Sequence, residues 1–163
     1  MSRFSVLFIC TANICRTPMA EVYLRKLVIS ESLSEEIEVL SAGTWAIQGV
    51  PPSENSQQVC SENGLDASTL RSKPVNPTLL NRSSLVLCMT TEHKNDLITI
   101  FPHCKDKIYT VKEFCHSVPP DKLSIKDPHG RTIDIHRATF VEIRSEIDRM
   151  WPTLKKRAAS VTG

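Results

Sequence analysis

The sequence lacks the features that mark several large classes of protein. Only 5 of its 163 residues are glycine, its aromatic content is 6%, and its net charge at pH 7 is +2. This composition excludes glycine-rich fibres and disordered chains, and the small charge without a run of like residues argues against nucleic-acid or membrane binding. No stretch is long and apolar enough to span a bilayer. The length predicts one domain, covering residues 1–163.

Cysteine is also too sparse for a disulfide scaffold, a class that packs its cysteines into short chains. The segment from Arg3 to Cys10 has too short a charged start and too short an apolar run for a secretory signal, and no small-residue cleavage site follows. We therefore expect free thiols and a cytoplasmic location. The question becomes what each thiol does: Cys10, Cys15, Cys60, Cys88, Cys104 and Cys115.

Short apolar segments alternate along the chain with segments of helical periodicity. The strands are predicted at Phe4–Ile9, Ile37–Leu40, Ser84–Met89 and Lys107–Thr110. The helices are predicted at Pro18–Leu27, at Ser53–Asn63 with Gly64 closing it, at Thr91–Ile100, and in a long C-terminal segment with the apolar face Phe140, Ile143, Ile147, Met150, Trp151 and Leu154. We allow for a kink at Pro152 in that last helix. This alternation predicts an α/β fold, a three-layer sandwich of a parallel sheet with flanking helices.

The turn after the first strand is the most informative segment, because ligands of such sheets bind beyond the carboxyl ends of the strands. It starts with Cys10 and, six positions on, reaches Arg16 beside the predicted helix start. Unpaired N–H groups and the helix dipole at that place stabilise a thiolate and an oxyanion, and a guanidinium adds a bidentate clamp. A nucleophilic sulfur in an anion cradle indicates phosphoryl transfer through a phosphocysteine. The alternative is a structural cysteine at the strand end with Arg16 in solvent.

The other five cysteines do not repeat this spacing. Six positions after them stand Glu21, Asp66, Lys94, Thr110 and Asp121. The one Cys-x5-Arg match therefore lies at the one strand-to-helix junction where the chemistry would work.

A general acid for the leaving group is predicted far along the chain, at Asp127. It is presented by a turn in which Pro128 fixes the backbone and Gly130 permits tight reversal. An ordinary surface turn with no catalytic role is the alternative.

These residues resemble the signature of the low-molecular-weight protein tyrosine phosphatases, a hydrophobic strand followed by Cys-x5-Arg-[Ser/Thr]-Pro. The resemblance continues at Ser41–Thr44, at Leu87–Thr90 with His93 and Lys94, and at Asp127–Gly130, where the family has its general-acid loop. It implies a four-stranded, flavodoxin-like phosphatase fold of the bacterial type, related to protein arginine phosphatases and thioredoxin-linked arsenate reductases. It also implies catalysis without metal or cofactor, a phosphorylated protein or peptide as substrate, inorganic phosphate as product, and a monomer or weak dimer.

The resemblance implies a role for each position of the loop. Cys10 is the nucleophile, Asp127 is the acid and then the base, and Arg16 holds the phosphoryl group. The phosphate loop that assists them consists of Thr11, Ala12, Asn13, Ile14, Cys15, Arg16 and Thr17. In that loop Asn13 shapes the backbone, and the Thr17 hydroxyl, where the family usually has Ser, stabilises the thiolate. Cys15 is the expected redox partner of Cys10.

The sequence departs from the family pattern at several positions around the expected cleft. Ala12 stands where Gly is usual, and His129 where an aromatic ring is common. Trp45 and His129 are candidates for the cleft wall, and Trp45 is equally compatible with simple packing. Ile14 stands where related arginine phosphatases tend to carry Thr, which favours phosphotyrosine as the substrate and leaves phosphoarginine as the alternative.

Three other functions are weaker alternatives. The arsenate reductase relay needs a Cys-x6-Cys pair, but seven positions after Cys88 stands Asn95. The pairs His103-Cys104 and Cys115-His116 do not match a familiar zinc spacing, and a two-metal phosphatase would be expected to show an Asp-x-Asp, which is absent. A non-catalytic phosphate-binding module would need no Asp127.

Overall fold

The computed structural model describes residues 2–162, with the side chain of Thr162 left out, and contains one four-stranded parallel sheet. Its strands are β1 (Phe4–Cys10), β2 (Ile37–Gly43), β3 (Leu85–Cys88) and β4 (Ile108–Thr110), in the order β2-β1-β3-β4. Every residue of β1 is buried. A strand covered on both faces has no polar side, which explains why its sequence is a nearly continuous apolar run.

Five α-helices cover the two faces of this sheet: α1 (Arg16–Ser30), α2 (Glu54–Glu62), α3 (Pro77–Arg82), α4 (Thr91–Ile100) and α5 (Ile133–Thr162). Val6 and Phe8 of β1 face one apolar cluster, which contains side chains of α1, α2 and α5. Leu7 and Ile9 face the other cluster, with α3 and α4. The predicted three-layer α/β fold is therefore confirmed.

The elements differ from their predicted positions mainly at their ends. The helix α1 begins two residues before Pro18, β2 continues to Gly43, and α5 continues through Pro152 to Thr162. Gly64 follows α2 with a φ of 71°, as expected of a residue that closes a helix. Among the described helices none is both long and apolar enough to cross a bilayer.

Helix α3 was not predicted from the sequence. The side chain of its N-cap, Asn76, accepts a hydrogen bond from the backbone N–H of Leu79 at 2.8 Å, and Pro77 occupies the first turn. The Asn-Pro pair before two buried leucines is a helix-start signal. Six residues show too little periodicity to reveal the helix in another way. Short 3₁₀ turns at Pro102–Lys107 and Pro120–Lys122 were missed for the same reason.

The order of the strands fixes the position of the functional crevice. From β1 the chain moves to β2 on one side, and later returns to β3 on the other, so the strand order reverses between β1 and β3. Ligands of open α/β sheets bind at such a reversal, outside the carboxyl ends of the strands. The turns after Cys10 and after Cys88 flank it.

A close backbone contact couples the ends of β1 and β2. Gly43 pairs with Cys10, and the N–H groups of Thr44 and Trp45 donate to the carbonyl oxygens of Cys10 and Thr11 at 3.0 and 2.9 Å. A Cβ atom on Gly43 would clash with the carbonyl oxygen of Thr11 and lie 2.9 Å from the Cβ of Ala46. Only glycine fits here without displacing the turn after β1.

Replacing Gly43 with alanine should therefore destabilise the protein and disturb that turn. We expect a loss of about 1–3 kcal/mol in the free energy of unfolding, measured by urea denaturation, because the clashing atoms belong to the backbone. The rate of iodoacetamide alkylation at Cys10 should change as well. Gly64→Ala is the matched control: its left-handed φ costs about 1–2 kcal/mol, yet its surroundings are open. An unchanged alkylation rate in Gly43→Ala would contradict the proposed coupling.

Candidate active site

Cys10 lies at the floor of a small cavity where β1 ends. Its side chain is 2% exposed, and α1 begins at Arg16 after a five-residue loop. No side chain caps the first turn of α1, and that turn contains no acidic residue. The unpaired N–H groups and the positive end of the helix dipole are therefore left to bind an anion.

A hydroxyl group lies next to the sulfur of Cys10. The Oγ1 atom of Thr17 is 3.1 Å from Cys10 Sγ and accepts a 2.7 Å hydrogen bond from the Nδ2 of Asn13. Because Asn13 occupies an acceptor position of that oxygen, the hydroxyl proton is free to point at the sulfur. A hydrogen bond to a thiolate stabilises the charged form. This geometry agrees with the role that the sequence resemblance implied for Thr17.

Asn13 holds the loop from its centre. Its φ of 60° is left-handed, a conformation that Asn tolerates better than most residues. Its Nδ2 also donates to Ser41 Oγ at 2.9 Å, and its Oδ1 accepts from the N–H of Lys73 at 3.0 Å. Ser41 in turn donates to Glu21 of α1. The network ties the loop to β2, to α1 and to the segment after α2. The sequence analysis gave Asn13 the role of shaping the loop but did not identify these hydrogen-bond partners.

Arg16 is buried, with 2% of its surface exposed, and its guanidinium faces the cavity. One terminal nitrogen donates to the carbonyl oxygen of Ile125 at 2.8 Å, and the other lies 3.6 Å from the Oδ2 of Asp127. The Nε is buried without a hydrogen-bond partner among the described residues. A buried donor without a partner needs a ligand or water, so Arg16 keeps unused hydrogen-bonding capacity beside the cavity.

Asp127 lies at the mouth of the same cavity, with about half of its side chain exposed. Its Oδ1 accepts a hydrogen bond from the N–H of His129 at 3.0 Å, and Gly130 has a φ of 74°, so the predicted tight turn is present. The structure thus brings Asp127 to the same cavity as Cys10 and Arg16, although more than a hundred residues separate it from them in the sequence. Their catalytic roles stay predictions.

The cavity has a volume of about 190 Å³. Its lining combines the loop with the acid turn: Cys10, Thr11, Ala12, Ile14, Cys15, Arg16, Asp127 and His129. A larger cavity of about 580 Å³ lies beside α2 and residues 65–68, but none of these residues and no cysteine lines it.

Cys15 lines this cavity as well and is buried. Its Sγ donates to Ser53 Oγ at 3.4 Å and lies 3.7 Å from the Nδ1 of His129. Burial is the main cause that raises the pKa of the Cys15 thiol, so this sulfur is protonated at neutral pH. Its proposed redox partnership with Cys10 stays a prediction. His129 is in place to contact both Cys15 and a bound substrate.

Trp45 is not part of the small cavity. Its ring is 81% exposed and lines an adjoining cavity of about 320 Å³. That second cavity shares Thr11, Arg16 and Asp127 with the first. It adds residues to which the sequence analysis assigned no role in the site: Thr44, Thr90, Glu92, His93 and Asp96. If Trp45 forms a wall, it is a wall for the part of a substrate beyond the phosphoryl group.

The other thiols are separate from the site. Cys88 is fully buried in β3, and burial raises its pKa, which keeps it a thiol rather than a relay thiolate. Cys104 donates weakly to Asn81, and His103 also bonds Asn81, so this pair packs against α3. Across residues 2–162, no three His, Cys, Asp or Glu side chains are grouped so as to hold a metal ion.

Comparison with known proteins identifies the family. The family model described as low molecular weight phosphotyrosine protein phosphatase matches residues 5–160. The chain belongs to this phosphatase family. The enzyme class that the motif predicted is therefore confirmed.

Relatives of this phosphatase carry two different substrate names. A protein-arginine-phosphatase of Geobacillus stearothermophilus is 35% identical over 147 residues, which cover 90% of this chain and 93% of the relative. The structure of the YwlE arginine phosphatase from the same organism superposes with a TM-score of 0.85 and 33% identity, covering 96% of both chains. A low molecular weight protein tyrosine phosphatase from T. tengcongensis gives a TM-score of 0.83 and 34% identity, covering 92% of this chain and 99% of that one.

Asn13→Ala should weaken both the fold and the reactivity of Cys10. It removes buried hydrogen bonds and leaves Ala in a left-handed conformation, so we expect a loss of roughly 2–4 kcal/mol in unfolding free energy. Iodoacetamide alkylation of Cys10 at pH 7 should slow, since Thr17 loses the partner that orients it. Asn63→Ala is the control: it removes one 2.8 Å bond to Val59 and should cost about 1 kcal/mol without slowing alkylation.

Proposed function

We propose that this phosphatase hydrolyses protein phosphotyrosine through a phosphocysteine intermediate on Cys10. The observation that carries the proposal is the convergence of Cys10, the buried and partly unpartnered Arg16, and Asp127 on one cavity of about 190 Å³. A phosphoryl group bound there has a sulfur below it, a guanidinium beside it and a carboxyl group above it. These are the three groups that a cysteine-dependent phosphatase needs.

In the first step, the Cys10 thiolate attacks phosphorus. A sulfur–phosphorus bond forms while the bond from phosphorus to the tyrosyl oxygen breaks, and Asp127 gives its proton to that oxygen. Arg16 and the N–H groups at the start of α1 stabilise the charge on the equatorial oxygens. Their positions are fixed before the substrate arrives, because Arg16 is already bonded to Ile125.

In the second step, the Asp127 carboxylate takes a proton from a water molecule. The water oxygen attacks phosphorus, the sulfur–phosphorus bond breaks, and inorganic phosphate leaves. Cys10 returns as a thiolate, which the Thr17 hydroxyl at 3.1 Å stabilises as the leaving group.

Ile14 supports phosphotyrosine as the substrate. Its half-buried side chain lines the cavity together with Ala12, so the wall offers apolar contact at these two positions and no hydroxyl at position 14. A flat aromatic ring gains from such contact. The resemblance described above implies Thr at this place in related arginine phosphatases, with a hydroxyl that helps to orient the attacking water.

Phosphoarginine is the second candidate, and two observations favour it. The relatives named above include a protein-arginine-phosphatase at 35% identity. In addition, the carboxylates of Glu92 and Asp96 line the adjoining cavity beside Asp127, where they could bind a guanidinium group. A direct comparison of the two substrates decides between the candidates.

The role of Asp127 predicts a dependence on the leaving group. Asp127→Asn should lower kcat/KM for a phosphotyrosine peptide by roughly 10²–10⁴, because its phenolate leaves poorly without a proton. The loss with p-nitrophenyl phosphate, which has a better leaving group, should be clearly smaller. Asp121→Asn, an exposed change in the same segment, is the control. Equal losses on both substrates would contradict the role of Asp127, and persistent turnover by Cys10→Ser would contradict the role of Cys10.

The choice of substrate is tested with two peptides of matched sequence, one with phosphotyrosine and one with phosphoarginine. We expect a higher kcat/KM for phosphotyrosine, and Ile14→Thr should move the ratio toward phosphoarginine by about tenfold. Ile14→Val keeps the apolar wall and should leave the ratio unchanged. Wild-type preference for phosphoarginine would overturn the phosphotyrosine proposal and support the second candidate.

A further inference from the structure

A buried histidine lies behind the phosphate loop. His93 is the third residue of α4, on the turn that follows β3, and only 5% of it is exposed. Burial and the charge of Arg16 lower its pKa to about 4, against the opposing effect of Glu92, Asp96 and Asp127. The imidazole is therefore neutral at the pH where the enzyme is expected to work.

The hydrogen bonds of His93 fix which nitrogen carries the proton. The N–H of Thr90 points at Nδ1, 3.2 Å away, and a backbone N–H can only donate. Nδ1 must therefore be the acceptor, and the ring proton is on Nε2. That Nε2 lies 2.8 Å from Thr11 Oγ1 and donates to it.

Thr11 connects this histidine to the guanidinium of the site. It is the residue directly after Cys10, and its Oγ1 is 3.5 Å from a terminal nitrogen of Arg16. The hydroxyl oxygen thus faces a donor from α4 and a donor from α1. Its own proton is not used by either, and Thr11 lines both cavities. The series His93, Thr11, Arg16 joins the turns on the two sides of the strand-order reversal.

We propose that His93 is a positioning residue for phosphoryl binding, which holds the Thr11 hydroxyl and, through it, the start of the loop and the Arg16 guanidinium. The ring does not touch the substrate. The neutral state of the ring matters for two reasons. A second ring proton, on Nδ1, would point at the N–H of Thr90, so that two donors would face each other. It would also place a second positive charge beside Arg16. The inference rests on the proposed function of the Cys10 site.

His93 also caps α4, so an experiment has to separate the cap from the contact with Thr11. Asn in place of His93 offers an oxygen where Nδ1 lies and preserves the cap, but it is too short to reach Thr11. Gln is longer and offers an amide N–H near the position of Nε2. Comparing the two variants therefore separates the capping of α4 from the contact with Thr11.

We expect His93→Asn to keep the wild-type thermal midpoint and to weaken both inhibition by vanadate and kcat/KM for p-nitrophenyl phosphate by about 10- to 100-fold. His93→Gln should restore most of both. Asn76→Ala, which removes the side-chain cap of α3, is the matched control for a capping defect. It should lower the thermal midpoint and leave vanadate inhibition unchanged.

A double-mutant cycle with Thr11→Val tests the proposed path. If His93 acts through Thr11, then His93→Asn should cause no further loss in the Thr11→Val background. Losses that add, or equal losses in His93→Asn and His93→Gln, would overturn the inference. If the wild type is active and inhibited by vanadate, and His93→Asn behaves in the same way, this inference alone would be overturned. An inactive, vanadate-insensitive wild type would overturn the proposed function itself.

Discussion

The site depends on the side chain of Asn13, which holds a tight left-handed turn between a buried strand and a helix. Five residues separate Cys10 from Arg16, and within them the backbone must reverse and still present its N–H groups to one point. Both protons of the Asn13 amide and its oxygen are used, on Thr17, Ser41 and Lys73. Since these partners are on three different segments, the loop keeps its shape only inside the folded protein.

The same turn is supported from the sheet. Gly43 allows the end of β2 to approach Thr11 so closely that no side chain fits between them. On the opposite side, the turn after β3 brings His93 against the Thr11 side chain. The loop between Cys10 and Arg16 is thus held between the ends of its two neighbouring strands. Under the proposed function, such a fixed setting lets the N–H dipoles of the loop stabilise a transition state without reorganising.

The charges of the site are arranged for an anion that the protein itself does not supply. Arg16 is buried, its Nε has no hydrogen-bond partner within residues 2–162, and the carboxylate of Asp127 is 3.6 Å away and half exposed. That ion pair is long and open to water, so it contributes little to stability. The ion pair therefore leaves the Asp127 carboxyl accessible at the mouth of the cavity, as its proposed role requires. The neutral His93 adds a donor next to Arg16 without adding a competing charge.

The fold class, the four strands and the Cys-x5-Arg motif could all be predicted from the sequence. These features are local. The periodicity of a strand or helix, and the Cys-x5-Arg spacing at a strand-to-helix junction, can be recognised without knowing which distant residues they contact. The sequence could not reveal α3, which is only six residues long, nor the contacts of Ser41, Lys73 and His93, because nothing in the sequence around these residues encodes which loop they meet. It also placed Trp45 beside the cleft without showing that the ring lines the adjoining cavity. Those features were decided by the tertiary structure alone, since the strand order β2-β1-β3-β4 is what brings the ends of distant segments to one crevice.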